Sequence, residues 1–202
     1  MIDLAAWFGA HGLEFVAVVF GIISVLLSVR QNIWSWPTAI VNVGLYAFVF
    51  WRAGLYSDMG LQVVYFLLSL YGWYEWLHGG ANRSELSVSR ASARVWLTAI
   101  PTAIVFWLAL ARYTSTLPGV ALPHLDSALT TLSLVAQWMM TRKILENWIL
   151  WIIADLIYVP MYVYKHLPVT ALLYAVFLLL AVLGLRRWWR SYQRQLILEP
   201  DA

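Results

Sequence analysis

Cysteine is absent from this chain, which excludes disulfides, thiolate nucleophiles and cysteine metal sites together. Charge is scarce: 11% of the 202 residues are Asp, Glu, Lys or Arg, against about 25% in a soluble domain. His11, His124 and His166 fall between apolar runs and show no metal-ligand spacing. The lysines are Lys143 and Lys165, both near loops, so none stands mid-span for a Schiff base. No histidine within a span offers a base, and no second membrane acid pairs with Asp155. These gaps argue against an intramembrane enzyme, and no cofactor or metal is implied. The arginines sit at helix ends, where topology accounts for them without nucleic acid.

What remains is apolar. Hydrophobic residues make up 62% of the chain and mean hydropathy is +0.73. The runs are near 20 residues, the length an α-helix needs to cross a bilayer. The sequence therefore predicts an all-α integral membrane protein with the lipid bilayer as its surroundings. The opening residues MIDLAAWFGAHG hold no Lys or Arg, which argues against a cleaved signal peptide. They read as an interfacial segment over residues 1–13, with Trp7 and Phe8 at headgroup depth.

Seven spans follow, at about 14–29, 33–51, 58–77, 94–112, 125–141, 147–164 and 168–185. Pro37 lies in the first turn of the second, and Pro101 and Pro160 are expected to kink the fourth and sixth. A basic tail, RRWWRSYQRQ, closes the chain. With seven spans the termini face opposite sides. The side of the C-terminus carries Arg30, Arg83, Arg90, Arg94, Arg142, Lys143, Arg186, Arg187, Arg190 and Arg194; the other carries Arg52, Arg112 and Lys165. That asymmetry predicts a cytoplasmic C-terminus and an outside N-terminus.

Shifted by 112 positions, the sequence partly matches itself: Arg30 falls on Arg142, Trp36 on Trp148, Tyr46 on Tyr158, Gly72 on Gly184 and Trp76 on Trp188. Glu14 meets Asp126. The offset aligns spans one to three with five to seven and leaves the fourth as a linker, a 3+1+3 plan of parallel repeats. The expected divisions are 1–13, 14–93 for the first repeat and its loop, 94–124 for the linker, 125–189 for the second repeat, and 190–202 for a cytoplasmic tail. Transporters of this plan hold substrate near the membrane midplane between repeats. Gly44, Gly60, Gly72 and Gly184 are expected to allow close helix approach.

One span carries the most chemistry. Asp155 sits near the middle of ENWILWIIADLIYVPMYVYK, where a carboxylate costs roughly 2.5–3.5 kcal/mol on insertion scales. Asn147, Trp151 and Asp155 recur at i, i+4 and i+8, with Trp148 within a turn of the first two. An amide, two indoles and a negative charge on one face suit a flat cationic small molecule. One acid satisfied by its neighbours in a bundle, with the tryptophans as packing, is the plainer explanation. Elsewhere Asn42, Gln62, Tyr65, Gln137, Tyr158 and Trp36 supply polar edges or line a path. Trp7, Trp51, Trp76, Trp188 and Trp189, at span ends, are expected in the interfacial belt.

The runs RKILENWILWIIADLIYVPMYVYKHLPVTALLYAVFLLLAVLG and LYSDMGLQVVYFLLSLYGWYEW resemble the bacterial PnuC-type vitamin transporters, the nicotinamide riboside transporter family. The resemblance covers about 14–189 and rests most on Asn147, Trp148, Trp151 and Asp155 and on the LYGWYEW run. It implies a SWEET-like seven-helix carrier in the bacterial inner membrane, described in the family as a homotrimer. It also implies facilitated diffusion of nicotinamide riboside, trapped when a cytoplasmic kinase phosphorylates it. Nicotinamide riboside carriers have Asn where this chain has Asp155, and a polar residue ahead of the YGW run is replaced here. Thiamine, carried by PnuT-type relatives, is therefore an alternative cargo, and a proton-coupled carrier an alternative mechanism.

Overall fold

The computed structural model describes residues 4–117, 122–164 and 166–198, with side chains from residue 12 onward. Among these the chain forms seven α-helices: α1 Leu4–Val29, α2 Ser35–Arg52, α3 Tyr56–His78, α4 Ala93–Thr114, α5 Pro123–Thr141, α6 Asn147–Tyr164 and α7 Pro168–Leu198. Six of the expected spans lie within a helix; the second, expected from residue 33, begins in a turn, and α2 starts at Ser35. The region expected at the interface continues unbroken from Leu4 into α1; the side chains of Trp7 and Phe8 lie outside the described residues, as does Lys165. α7 does not stop near Leu185 but runs to Leu198. Arg, Gln and Leu are good helix formers, and no glycine or proline interrupts the basic tail before Pro200. Both α4 and α6 continue through Pro101 and Pro160.

Four helices are long and apolar enough to cross a membrane: α1 over Gly12–Val29, α4, α6 and α7. Polar faces dilute the other three. Asn42 interrupts α2, Asp58 and Gln62 interrupt α3, and Ser127, Ser133 and Gln137 mark α5.

The chain divides into two compact units, Met1–Leu86 and Ser87–Ala202. In the first, α2 packs against α1 and α3. In the second, α6 packs against α5 and α7, and α4 against α5. A hydroxyl pair joins α4 to α5, Thr114 Oγ1 and Ser127 Oγ 3.0 Å apart. The connector before α4 is fastened to the α5–α6 turn. Ser89 N donates to Lys143 O and Leu145 N to Ser89 O, at 3.0 and 2.9 Å. The Glu146 carboxylate accepts from Arg90 Nε and Ala91 N, each at 2.9 Å.

Taken separately, the two units repeat the same local geometry 112 positions apart. α2 and α6 have matching bounds and are 18 residues each. The turns before them place Gln31 and Lys143 at φ 56° and 46°. Asn32 N bonds Leu27 O in one and Ile144 N bonds Met139 O in the other, at 2.9 and 3.0 Å. The turns after them place Gly54 and His166 at φ 72° and 57°, a left-handed turn that glycine enters at little cost.

Candidate functional site

A contact that recurs in both units decides what the tryptophans do. In the first unit the Trp36 ring lies over Gly72, where a Cβ would collide with it. Its other contact is the edge of Trp76, centroids 5.3 Å apart at 88°. In the second unit Trp148 lies over Gly184 and meets Trp188 at 5.4 Å and 89°. Absence of a side chain at the two glycines is what lets an indole reach the neighbouring backbone. Gly44 and Gly60 have no such neighbour, so the expectation of close approach there is corrected.

Trp148 is 1% exposed and Trp188 0%. Trp76 is buried as well. The expectation of an interfacial belt is thus corrected for Trp76 and Trp188, whose rings are enclosed by the partner indole. Trp51 and Trp189 are exposed, as a belt requires. Trp36 and Trp148 act in this conformation as packing between helices. Ser35 Oγ, Trp36 Nε1, Asn147 Oδ1 and Trp148 Nε1 are buried without a hydrogen-bond partner among the described residues. They occupy two corresponding positions in each unit, so the feature belongs to the shared framework. Asn147 spends its amide locally, Nδ2 donating to Ile144 O at 2.6 Å.

The second constellation exists in one unit alone. α6 presents Ile149, Ile153 and Leu156 outward, all exposed. The opposite flank carries Ala154, Asp155 and Met161, all buried. Asp155 is 3% exposed. Among the described residues its carboxylate has no ion-pair or hydrogen-bonding partner. Such a group carries the full cost of its lost hydration unless a cation reaches it. Trp151, one turn before it, is half-buried.

One turn beyond Asp155 begins a stack of tyrosines. Tyr158 and Tyr162 on α6 lie 5.9 Å apart at 20°. Tyr174 of α7 packs on both, at 4.6 and 5.0 Å. Tyr158 and Tyr174 lie near the Asp155 carboxyl, and Ser133 of α5 lies beside Tyr158. Tyr162 and Tyr174 were missed in the sequence. The i, i+4 spacing of Tyr158 and Tyr162 was a readable signal; Tyr174 joins only through helix packing.

The remaining candidates are dispersed. Asn42 Nδ2 donates to Ala17 O of α1 at 2.6 Å, an interhelical bond inside the first unit. Gln62 and Tyr65 are half-buried on α3, and Gln137 is half-buried on α5. Two cavities in the second unit lie away from Asp155. One, about 270 Å³, is lined almost wholly by apolar side chains including Trp96, Ile100, Trp107 and Leu132. It holds no acidic group to pair with a cation. The other, about 590 Å³, is bordered by Arg90, Glu146, Arg186 and Arg190. Asp155 lines neither of them and is buried in this conformation.

Comparison with known proteins matches residues 11–190 to the family described as nicotinamide mononucleotide transporter. Nicotinamide riboside transporter PnuC of Escherichia coli (strain K12) is 28% identical over 204 residues, covering 89% of this chain and 85% of that protein. Riboflavin/roseoflavin transporter RibM of Streptomyces davaonensis is 28% identical over 185 residues, covering 90% and 86%. The crystal structure of the vitamin B3 transporter PnuC superposes with TM-score 0.71 at 26% identity, covering 94% of this chain and 87% of that one.

Proposed function

The chain belongs to the nicotinamide mononucleotide transporter family, and from that membership we propose that it takes up a flat cationic vitamin, nicotinamide riboside, across the bacterial inner membrane. The observation that carries this reading is Asp155: buried, without a partner among the described residues, and on the flank of α6 opposite its exposed apolar face. A pyridinium ring would neutralise it and restore what dehydration costs. Trp151 and the Tyr158–Tyr162–Tyr174 stack would offer π faces to the ring. Gln137 would bond a ribose hydroxyl, and Gln62 and Tyr65 are candidates for the same task. Trp36, Trp148 and Asn147 hold the framework.

RibM, named for riboflavin and roseoflavin, is as similar as the E. coli PnuC at 28% identity. Asp155 weighs against a neutral isoalloxazine, which gains nothing from a carboxylate. Thiamine is the second reading, because its thiazolium is also a flat cation and Asp155 is the group it needs.

The helix plan we infer is 3+1+3, with α4 joining repeats at about 14–93 and 125–189; the recurring turns and Trp–Gly–Trp contacts support it. The ten-to-three distribution of basic residues supports a cytoplasmic C-terminus. Transport is facilitated diffusion, with a cytoplasmic kinase trapping the cargo, and the assembly is a homotrimer. The test is calorimetry on purified protein with nicotinamide riboside, thiamine and riboflavin. A cation should bind and riboflavin should not. Asp155→Ala should weaken the better ligand by about 2–5 kcal/mol, the cost of removing one partner from a buried charge pair. Unchanged affinity in that variant sinks the charge-pairing role.

A further inference from the structure

We propose that the arginine-lined cavity of the second unit binds the phosphate headgroup of an anionic phospholipid. The cavity measures about 590 Å³, inside the roughly 300–1,000 Å³ range of small-molecule sites. Arg90, Arg186 and Arg190 border it. The bordering carboxylate, Glu146, is already committed to Arg90 Nε and Ala91 N. Arg186 and Arg190 are exposed and have no acidic partner among the described residues. Four residues apart on α7, they project from one face. Arg90 is held on two sides, by Glu146 and by the Trp189 ring 5.7 Å from its guanidinium carbon.

The other walls decide between a lipid and a soluble anion. Ile149 and Leu185 line the same cavity. Ile149 opens the exposed apolar face that continues through Ile153 and Leu156 along a membrane-crossing helix. Cations at the mouth and an acyl-compatible surface behind them fit a phosphodiester bearing two fatty chains; a free phosphate would use only the first. Basic pockets beside transmembrane helices recognise anionic headgroups in this manner. The first unit has no counterpart. Its corresponding positions are Tyr74 and His78, whose rings stack on each other 4.9 Å apart.

Native mass spectrometry of the full chain in detergent tests this, with phosphatidylglycerol, phosphatidylcholine or inorganic phosphate added. Phosphatidylglycerol should be retained in preference to phosphatidylcholine. Arg186→Gln with Arg190→Gln should weaken its retention on the order of fivefold per arginine. Arg186→Lys with Arg190→Lys should keep the preference, and that pair decides if the glutamine variant fails to fold. Equal retention of the two lipids overturns the proposal, as does undiminished phosphatidylglycerol binding in the glutamine variant. Displacement of the lipid by inorganic phosphate identifies a soluble-anion site and overturns it equally.

Discussion

In the first unit Val43 occupies the position that Asp155 takes in the second, 112 residues later, and both are buried. Around them the framework is the same: Trp36 over Gly72 against Trp76, Trp148 over Gly184 against Trp188. Aromatic pairs recur too, Tyr46 on Phe50 at 5.7 Å and Tyr158 on Tyr162 at 5.9 Å. Beyond that the units part. Gln62 stands where Tyr174 completes the tyrosine stack, and Ala39 where Trp151 flanks the acid. Because valine serves the framework at this position, the acid is not there to hold helices together. The two units share the framework contacts, and the proposed chemistry rests on a few side chains in the second alone.

The largest expected effect tests whether the scaffold is truly common. Trp36→Ala and Trp148→Ala each empty a fully enclosed indole site and should cost about 3–5 kcal/mol. Unfolding of the purified protein in detergent measures it. Similar losses would sharpen the comparison; a tolerant Trp148→Ala with a ruinous Trp36→Ala would break it. Next comes the exchange that makes the units alike. Asp155→Val should leave the unfolding temperature unchanged or higher, since an unpaired buried charge gives way to a residue the framework already accepts. Nicotinamide riboside binding should fall by about 2–5 kcal/mol. A variant that unfolds while its remaining folded fraction still binds would reverse the assignment of roles. Proton coupling is separable in vesicles without a kinase: accumulation above the outside concentration under a pH gradient would favour it, simple equilibration would not.

The sequence made the framework legible because the matches fall at one fixed offset, and tryptophan and glycine matches are rarer than those of leucine. It could not say that Trp76 and Trp188 lie inside. Both sit near span ends, where an interfacial belt is the usual reason for an indole, and only the indoles of Trp36 and Trp148, seated on Gly72 and Gly184, enclose them. Asp155 was legible because an acid deep in an apolar run has few explanations. Tyr174 was not, since its place in the stack depends on how α7 packs on α6. Family membership was legible from Asn147, Trp148, Trp151 and Asp155, yet that motif combines two kinds of residue. Trp148 and Asn147 have a framework role shared with Trp36 and Ser35; Trp151 and Asp155 have no counterpart in the first unit.

A smaller difference lies at the turn before each second helix. Trp34 is exposed there in the first unit, while Glu146 is buried in the second and fastens the connector. Glu146→Ala removes two charge-assisted hydrogen bonds and should cost about 1.5–3 kcal/mol, reduced because Arg90 is more than half exposed. Hydrogen exchange should rise at Ala91, whose amide loses its acceptor, and stay constant throughout α1–α3. Faster exchange in the first unit would show that the fastening acts beyond its own turn.

The smallest effect concerns Asn42, whose counterpart Ala154 is buried in the second unit without any polar group. The amide binds the Ala17 carbonyl of α1, and bonds of this kind between membrane helices average about 0.6 kcal/mol. Asn42→Ala makes this position the same in both units and should lower stability by that amount. Affinity for nicotinamide riboside should hold, because the amide is engaged by a neighbouring helix. A tenfold loss of affinity at unchanged stability would instead mean that Asn42 abandons Ala17 for the cargo. The first unit would then contribute chemistry as well as scaffold, and the division of labour drawn from Val43 and Asp155 would not extend along the rest of the helix.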